Sequence, residues 1–223
     1  MTMPHHSTGR AIVSVALGAF LAAGGVVQPS AHEAHQALLP PSQGPGLSAV
    51  ADHPSLAAIK AAPDFALLDG ADNRVALSEL RGRVVLLSFI YTTCVTTCPL
   101  LTHRMGLLRH ALRHAGLWPR SVSFLSVTVD PERDTRSALA DYAQNFDAVD
   151  PNWRFLRDEA PAMRPVLAAY DEWTKQLPDG ELDHPARVYL IDRRGNVREI
   201  YALAFFDERQ ALIDIQTLVQ ESP

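Results

Sequence analysis

The hydrophobic pattern divides the chain into three stretches. Residues 11–27 (Ala-Ile-Val-Ser-Val-Ala-Leu-Gly-Ala-Phe-Leu-Ala-Ala-Gly-Gly-Val-Val) form an uncharged run with no polar face at helical spacing. The next stretch carries Pro40, Pro41, Pro45 and Pro54 among Gly44, Gly46 and scattered serines, a composition that resists helix and sheet. From Pro63 the pattern is that of a folded unit. Phe65, Leu67 and Leu68, then Val75 and Leu77, flank the turn Asp69-Gly70-Ala71-Asp72-Asn73 and predict a hairpin. Ser78 to Gly82 reads as a short turn. Arg83 to Tyr91 and Ser121 to Val129 are nearly unbroken apolar or β-branched runs, which suit central strands covered on both faces. Val188 to Ile191 and Val197 to Ile200 flank Asp192-Arg193-Arg194-Gly195-Asn196 and predict a second hairpin. Between the strands the spacing becomes helical. Leu101, Met105, Leu108 and Leu112 form one apolar stripe behind Pro99, a residue that a first helical turn tolerates. Thr135 is placed to cap a helix running through Asn145, and Pro161 to open one running through Trp173. Asp207 with Gln210 makes a capping-box pattern ahead of Leu212, Ile215 and Val219. Strands alternating with helices predict an α/β layered domain with at least one parallel strand pair.

Composition adds limits. A length of 223 residues fits one domain of ordinary size, or one domain with an appended leader, and 47% hydrophobic residues suffice for a buried core. The 20 Lys+Arg against 25 Asp+Glu give a net charge of -5, which argues against nucleic acid as a partner, since phosphate binding needs a concentrated positive face. Behind Arg10, the uncharged run reads as part of an export signal over residues 1–31, cleaved near Ser30 and Ala31. Its 17 residues also reach the lower limit for an uncleaved inner-membrane anchor. Either way the expected location is the bacterial cell envelope, on the periplasmic side. Residues 32–58 are then a flexible linker and residues 59–223 the folded domain.

Candidate chemistry concentrates in Cys94-Val95-Thr96-Thr97-Cys98-Pro99, which holds both cysteines of the chain and rules out a multi-disulfide scaffold. The segment follows directly on a buried strand and leads into a helix. Amides at a helix start lower a thiol pKa, raising the thiolate fraction that redox attack and metal ligation both need. The i, i+4 spacing brings the two sulfurs to one side of a turn, where they can close a disulfide or hold a soft ion. Three intervening residues argue against the two-residue spacing of thioredoxin-type oxidoreductases. A purely structural disulfide over so short a loop gains little. A third metal ligand would come from the nine histidines. His5 and His6 lie in the leader, and His32, His35 and His53 in the tether. His103, His110 and His114 share the helical face opposite the Leu101 stripe and read as solvated. His184, in Asp183-His184-Pro185 just ahead of a strand, reads on spacing alone as a surface-loop histidine.

From Pro63 onward the chain resembles the Sco/SenC family of copper proteins that assemble cytochrome c oxidase. Pro63-Asp64-Phe65 and Leu80 to Leu87 look like the family's opening hairpin and first core strand. Phe89 to Cys94 through Cys98-Pro99 is similar to its Cys-x3-Cys-Pro motif, and Val129 to Thr135 to its Asp-Pro-Glu-Arg-Asp-Thr signature. Asp183-His184 ahead of Val188 matches its Asp-His element. The resemblance implies a thioredoxin-like fold: a central mixed β-sheet flanked by helices, with an N-terminal β-hairpin extension. It also implies a metallochaperone that holds copper, as Cu(I) or Cu(II), on Cys94 and Cys98 sulfur and His184 nitrogen. Its partners would be the copper-centre subunit of cytochrome c oxidase and other copper chaperones or thiol reductants. Thiolates suit Cu(I), and an added imidazole lets the same site hold Cu(II). Asp183 and Asp130 are candidates to act from beside the ligands, and Asp130 with Arg133 to order the adjoining loop. Where the family often has proline and an acidic residue between the cysteines, this chain has Val95, Thr96 and Thr97, a change that favours thiolate. Two further readings use the same cysteines: a thiol-disulfide oxidoreductase that reduces the client's cysteines through Cys94 and Cys98, and a peroxidase. His184 separates them from the chaperone, because redox exchange needs no such ligand.

Overall fold

The structure, a computed structural model, describes residues 56–178 and 180–221. Strand β1 (Lys60–Ala61) leads into the hairpin β2 (Ala66–Leu68) and β3 (Arg74–Ala76). A 3-10 turn over Leu77–Leu80 connects this to β4 (Val84–Ile90), helix α1 (Thr97–His114), β5 (Val122–Thr128) and helix α2 (Arg136–Asn145). Then come β6 (Trp153–Leu156), α3 (Ala160–Ala169), β7 (Lys175–Gln176) and β8 (Leu182–Asp183). Strands β9 (Arg187–Ile191) and β10 (Asn196–Ala202) precede the last helix, α4 (Glu208–Gln220). The leader and the tether as far as residue 55, with His5, His6, His32, His35 and His53, lie outside the described residues. Among the described residues no helix is long and apolar enough to cross a membrane.

Six strands form one sheet in the order β1-β10-β9-β4-β5-β6. β4 runs parallel to β5 and β5 to β6, whereas β9 is antiparallel to both β4 and β10. Every residue of β4 and β5 is buried, which is why both read as continuous apolar runs and not as alternation. Their polar members find partners inside the core. Ser88 Oγ lies 3.0 Å from Ser126 Oγ, which also accepts from Trp153 Nε1 at 3.1 Å. The pair β2–β3 forms a separate two-stranded sheet, the N-terminal extension that the resemblance implied. Helix α1 buries Leu101, Met105, Leu108 and Leu112, exposes His103, His110 and His114, and packs against α4. Thr135 caps α2, its hydroxyl accepting from the Ala138 amide at 3.2 Å. A mixed sheet flanked by helices is the thioredoxin-like arrangement expected.

The structure departs from the sequence expectation at the end of α3, at the start of α4 and in its short strands. Helix α3 ends at Ala169, short of Trp173, because Asp171 takes a left-handed conformation with φ 54°. A Schellman motif closes there: the Asp171 amide donates to the Ala168 carbonyl at 3.1 Å and the Glu172 amide to the Leu167 carbonyl at 2.8 Å. Asp207 caps α4 through the Arg209 amide at 2.8 Å, but Gln210 closes no box; its side-chain amide donates to Asp214 Oδ1 at 2.8 Å. Strand β6 has only four residues, too few to show a period in the sequence.

Strand register decides what meets at the end of the sheet. Val85 pairs with Ile191 and Ser88 with Val188, so the chain ahead of β9 runs past the end of β4, where Tyr91 to Cys98 turns into α1. The end of β5 lies alongside, with the Val129 amide donating to the Ile90 carbonyl at 2.8 Å. Three segments distant in sequence therefore converge: residues 91–98, residues 129–135 and the residues just before β9.

Candidate functional site

Cys94 stands between β4 and α1, and Cys98 lies in the first turn of α1. Both are free and buried, with 4% and 2% exposure. Thr96, at the cap position of α1, makes no side-chain capping bond. The Cys94 sulfur takes that place: it accepts the Cys98 amide at 3.3 Å and lies 3.4 Å from Thr97 Oγ1 and 4.0 Å from Thr96 Oγ1. A thiolate there answers an orphan helix amide and sits where the helix dipole favours negative charge. The Cys98 thiol hydrogen-bonds to Cys94 and, with the Thr97 hydroxyl and the Cys98 amide, holds Cys94 well below the ordinary thiol range despite its burial. That same thiol–thiolate bond, reinforced by burial, pushes Cys98 up. The two thiols therefore titrate as a pair, with negative charge favoured on Cys94 and the proton on Cys98. Thr96 and Thr97 contribute hydroxyls here in place of a repelling carboxylate.

The loops beside the cysteines are tied down by carboxylates. Asp134 is fully buried, accepts the Thr92 amide at 3.0 Å, and accepts from the hydroxyls of Thr92 and Thr128. Burial raises its carboxyl while those bonds draw it back. Asp130 pairs with Arg133, and its amide donates to Thr128 Oγ1 at 2.9 Å. Arg133 also reaches the Gly180 carbonyl at 3.1 Å, linking this loop to the segment that leads to β8.

The imidazole of His184 is buried, with its side chain 3% exposed, and Nδ1 lies 3.4 Å from Glu172 Oε2. The Tyr91 ring stands against it, centroids 5.7 Å apart at 75°. The Tyr91 hydroxyl donates to Glu181 Oε2 at 2.5 Å and accepts the Leu182 amide at 3.2 Å. Tyr91 thus lies against the imidazole with its hydroxyl held by Glu181 and Leu182. His184 Nε2 is buried with no hydrogen-bond partner among the described residues. Asp183 is exposed, and its backbone pairs with Lys175 across β7–β8.

The structure thus brings Cys94 and Cys98 together and seats His184 on Glu172, beside Tyr91. Among the described residues no three His, Cys, Asp or Glu side chains converge as ligands of one ion. The donors nonetheless suit a soft ion: two sulfurs, one of them with its pKa lowered, and a buried imidazole nitrogen without another partner among the described residues. Sequence reasoning missed Tyr91, Asp134, Glu172 and Glu181 as neighbours of the site. Asp134 lies inside a motif already singled out. Glu172 carries no local signal, because its position follows from where α3 ends.

The family model described as SCO1/SenC matches residues 54–220. The SCO1 protein homolog of Bacillus subtilis is 33% identical over 131 residues, covering 57% of this chain and 66% of that protein. That is just short of two thirds of its length, and other curated relatives are spanned over as little as 50% of theirs. Among solved structures, Bradyrhizobium japonicum ScoI with copper bound aligns with a TM-score of 0.61 and 27% identity, over 71% of this chain and 99% of that one. BsSco, described with a disulfide switch and as a member of the Sco family of cytochrome c oxidase assembly proteins, aligns with a TM-score of 0.62 and 24% identity, over 74% of this chain and 97% of that one. The family match begins ahead of β1 and runs to the last residue of α4, and on that ground this chain belongs to the SCO1/SenC family.

Proposed function

We propose that this protein is a copper chaperone for assembly of the copper centre of cytochrome c oxidase, carrying its cargo on Cys94 and Cys98 sulfur and His184 nitrogen. The observation that carries the reading is the buried, unbridged cysteine pair at the start of α1, with Cys94 sulfur accepting the Cys98 amide, in a chain of the family to which the copper-bound ScoI belongs. Thiolate sulfur is the donor that Cu(I) prefers, and the imidazole adds the nitrogen that Cu(II) needs. Metal and proton compete for the same sulfur lone pairs, so loading displaces the proton from Cys98. Val95, between the cysteines, is 76% exposed and gives a partner an apolar contact beside the sulfurs. The partners are the oxidase subunit that houses the copper centre and the copper chaperones or thiol reductants that load this protein and keep it reduced. We place it in the bacterial cell envelope on the periplasmic side, exported by or anchored through residues 11–27.

The direct test is copper uptake by the full chain in its reduced and oxidised forms. The reduced form takes up equimolar Cu(I), and the Cys94–Cys98 disulfide takes up none, because a disulfide has no thiolate to donate. Equal uptake by both forms would refute the assignment of the sulfurs.

The asymmetry of the pair also favours a second reading, thiol-disulfide exchange. Cys94 thiolate attacks one sulfur of a client disulfide and expels the other as a thiolate. Cys98 then attacks Cys94 in the mixed disulfide, its proton passing to the departing client sulfur. The client is reduced and the Cys94–Cys98 pair oxidised. Replacing His184 leaves this exchange intact, which distinguishes it from copper carriage.

A further inference from the structure

Glu172 has no place in the motifs read from the sequence, yet its carboxylate is buried beside the site, its side chain 0% exposed. Its position is built by the backbone. Asp171 stands at the left-handed position of the Schellman motif that ends α3, which turns the next residue, Glu172, back toward the sheet. The motif is clasped to β9: Arg187 donates to the Asp171 carboxylate at 3.1 Å and to its carbonyl at 3.3 Å. Arg187 is three positions beyond His184, so one clasp fixes both ends of the Glu172–His184 contact. The Tyr91 ring closes on the imidazole from the end of β4.

Within this enclosure the histidine has one satisfied nitrogen and one that is not. Nδ1 lies 3.4 Å from Glu172 Oε2, while Nε2 is buried and unpartnered among the described residues. Leaving a buried polar atom unpaired is costly, and such an atom in a native structure points to a role. A neutral imidazole has one N–H and one lone pair, and the partner of one nitrogen decides which nitrogen keeps the lone pair.

We propose that Glu172 is a positioning residue: it accepts the Nδ1 proton of His184, locks that tautomer, and so presents Nε2 as the nitrogen donor for copper. A carboxylate on the far nitrogen also raises the basicity of the ligating one, and this favours Cu(II), the ion that depends on the imidazole, more than Cu(I). The copper consequence rests on the function proposed above; the tautomer does not.

The experiment uses the full chain, reduced and metal-free, with nitrogen-detected NMR of the His184 ring, followed by chelator competition for each copper oxidation state. Wild type shows Nδ1–H and a bare Nε2. Glu172→Leu, which removes the acceptor, releases the tautomer and weakens Cu(II) binding by about 10- to 100-fold, with a much smaller change for Cu(I). Glu172→Gln keeps an oxygen at the same place, holds the Nδ1–H tautomer and recovers most of the loss. A proton on Nε2 in wild type overturns the proposal, as does a Glu172→Leu variant with unchanged tautomer and Cu(II) affinity. If Glu172→Leu does not fold, the wild-type tautomer decides alone. A wild-type chain that shows Nδ1–H but binds no copper refutes the copper reading and leaves the positioning role standing.

Discussion

Cys94 keeps its charge through the groups that face it: the Cys98 thiol first, then the Thr97 hydroxyl and the Cys98 amide. Its folded-state pKa is depressed, so its contribution to the stability of the reduced protein is full above the ordinary thiol value of about 8.5 and is lost as pH falls through the depressed value. Ultraviolet thiolate absorbance against pH should show one thiolate persisting well below the ordinary range. Cys98→Ala should raise that transition, because it removes the largest stabilising bond. A transition at the ordinary value in both proteins would contradict this electrostatic account. The cysteines and their thiolate bias were legible in the sequence because their spacing and the helix start are local. The roles of Asp134 and Glu172 were not. Asp134 acts on Thr92 across 42 positions and Glu172 meets His184 across 12, and no local period encodes either pairing.

Helix α1 and strands β4 and β5 show their structure in their residues because each buries a long, regular face. The stripe of α1 makes a quantitative expectation. Leu108 is fully buried, so Leu108→Ala should cost about 2–5 kcal/mol, whereas His110→Ala on the exposed face should stay within about 0.5 kcal/mol. Urea unfolding of the reduced protein compares the two, and equal losses would contradict the assigned face. Elements of two to four residues, such as β6, β7 and β8, have too few positions to register a period. The end of α3 was hidden for another reason. Glycine is the usual signal for a left-handed helix stop, and here Asp171 fills that position, with its carboxylate engaged by Arg187.

Across the whole molecule, the sheet collects three segments at one end: the turn from β4 into α1, the loop after β5, and the approach to β9. Topology thereby brings the cysteine turn and the approach to β9 to the same end of the sheet, with the Tyr91 ring against the His184 imidazole. The order of the motifs along the chain was enough to suggest the family, and the match over residues 54–220 shows it. The seat of His184 was not readable, since it depends on where α3 stops and on the register of β9 against β4. The central claim is that copper is held by Cys94, Cys98 and His184. The most direct measurement is a pair of chelator competitions, one per copper oxidation state, on the wild-type chain and on His184→Ala. Cu(I) is content with two thiolates, so its affinity should change little; Cu(II) needs the harder nitrogen and should lose at least about tenfold more. Equal losses for both ions, or no loss for either, would contradict the account.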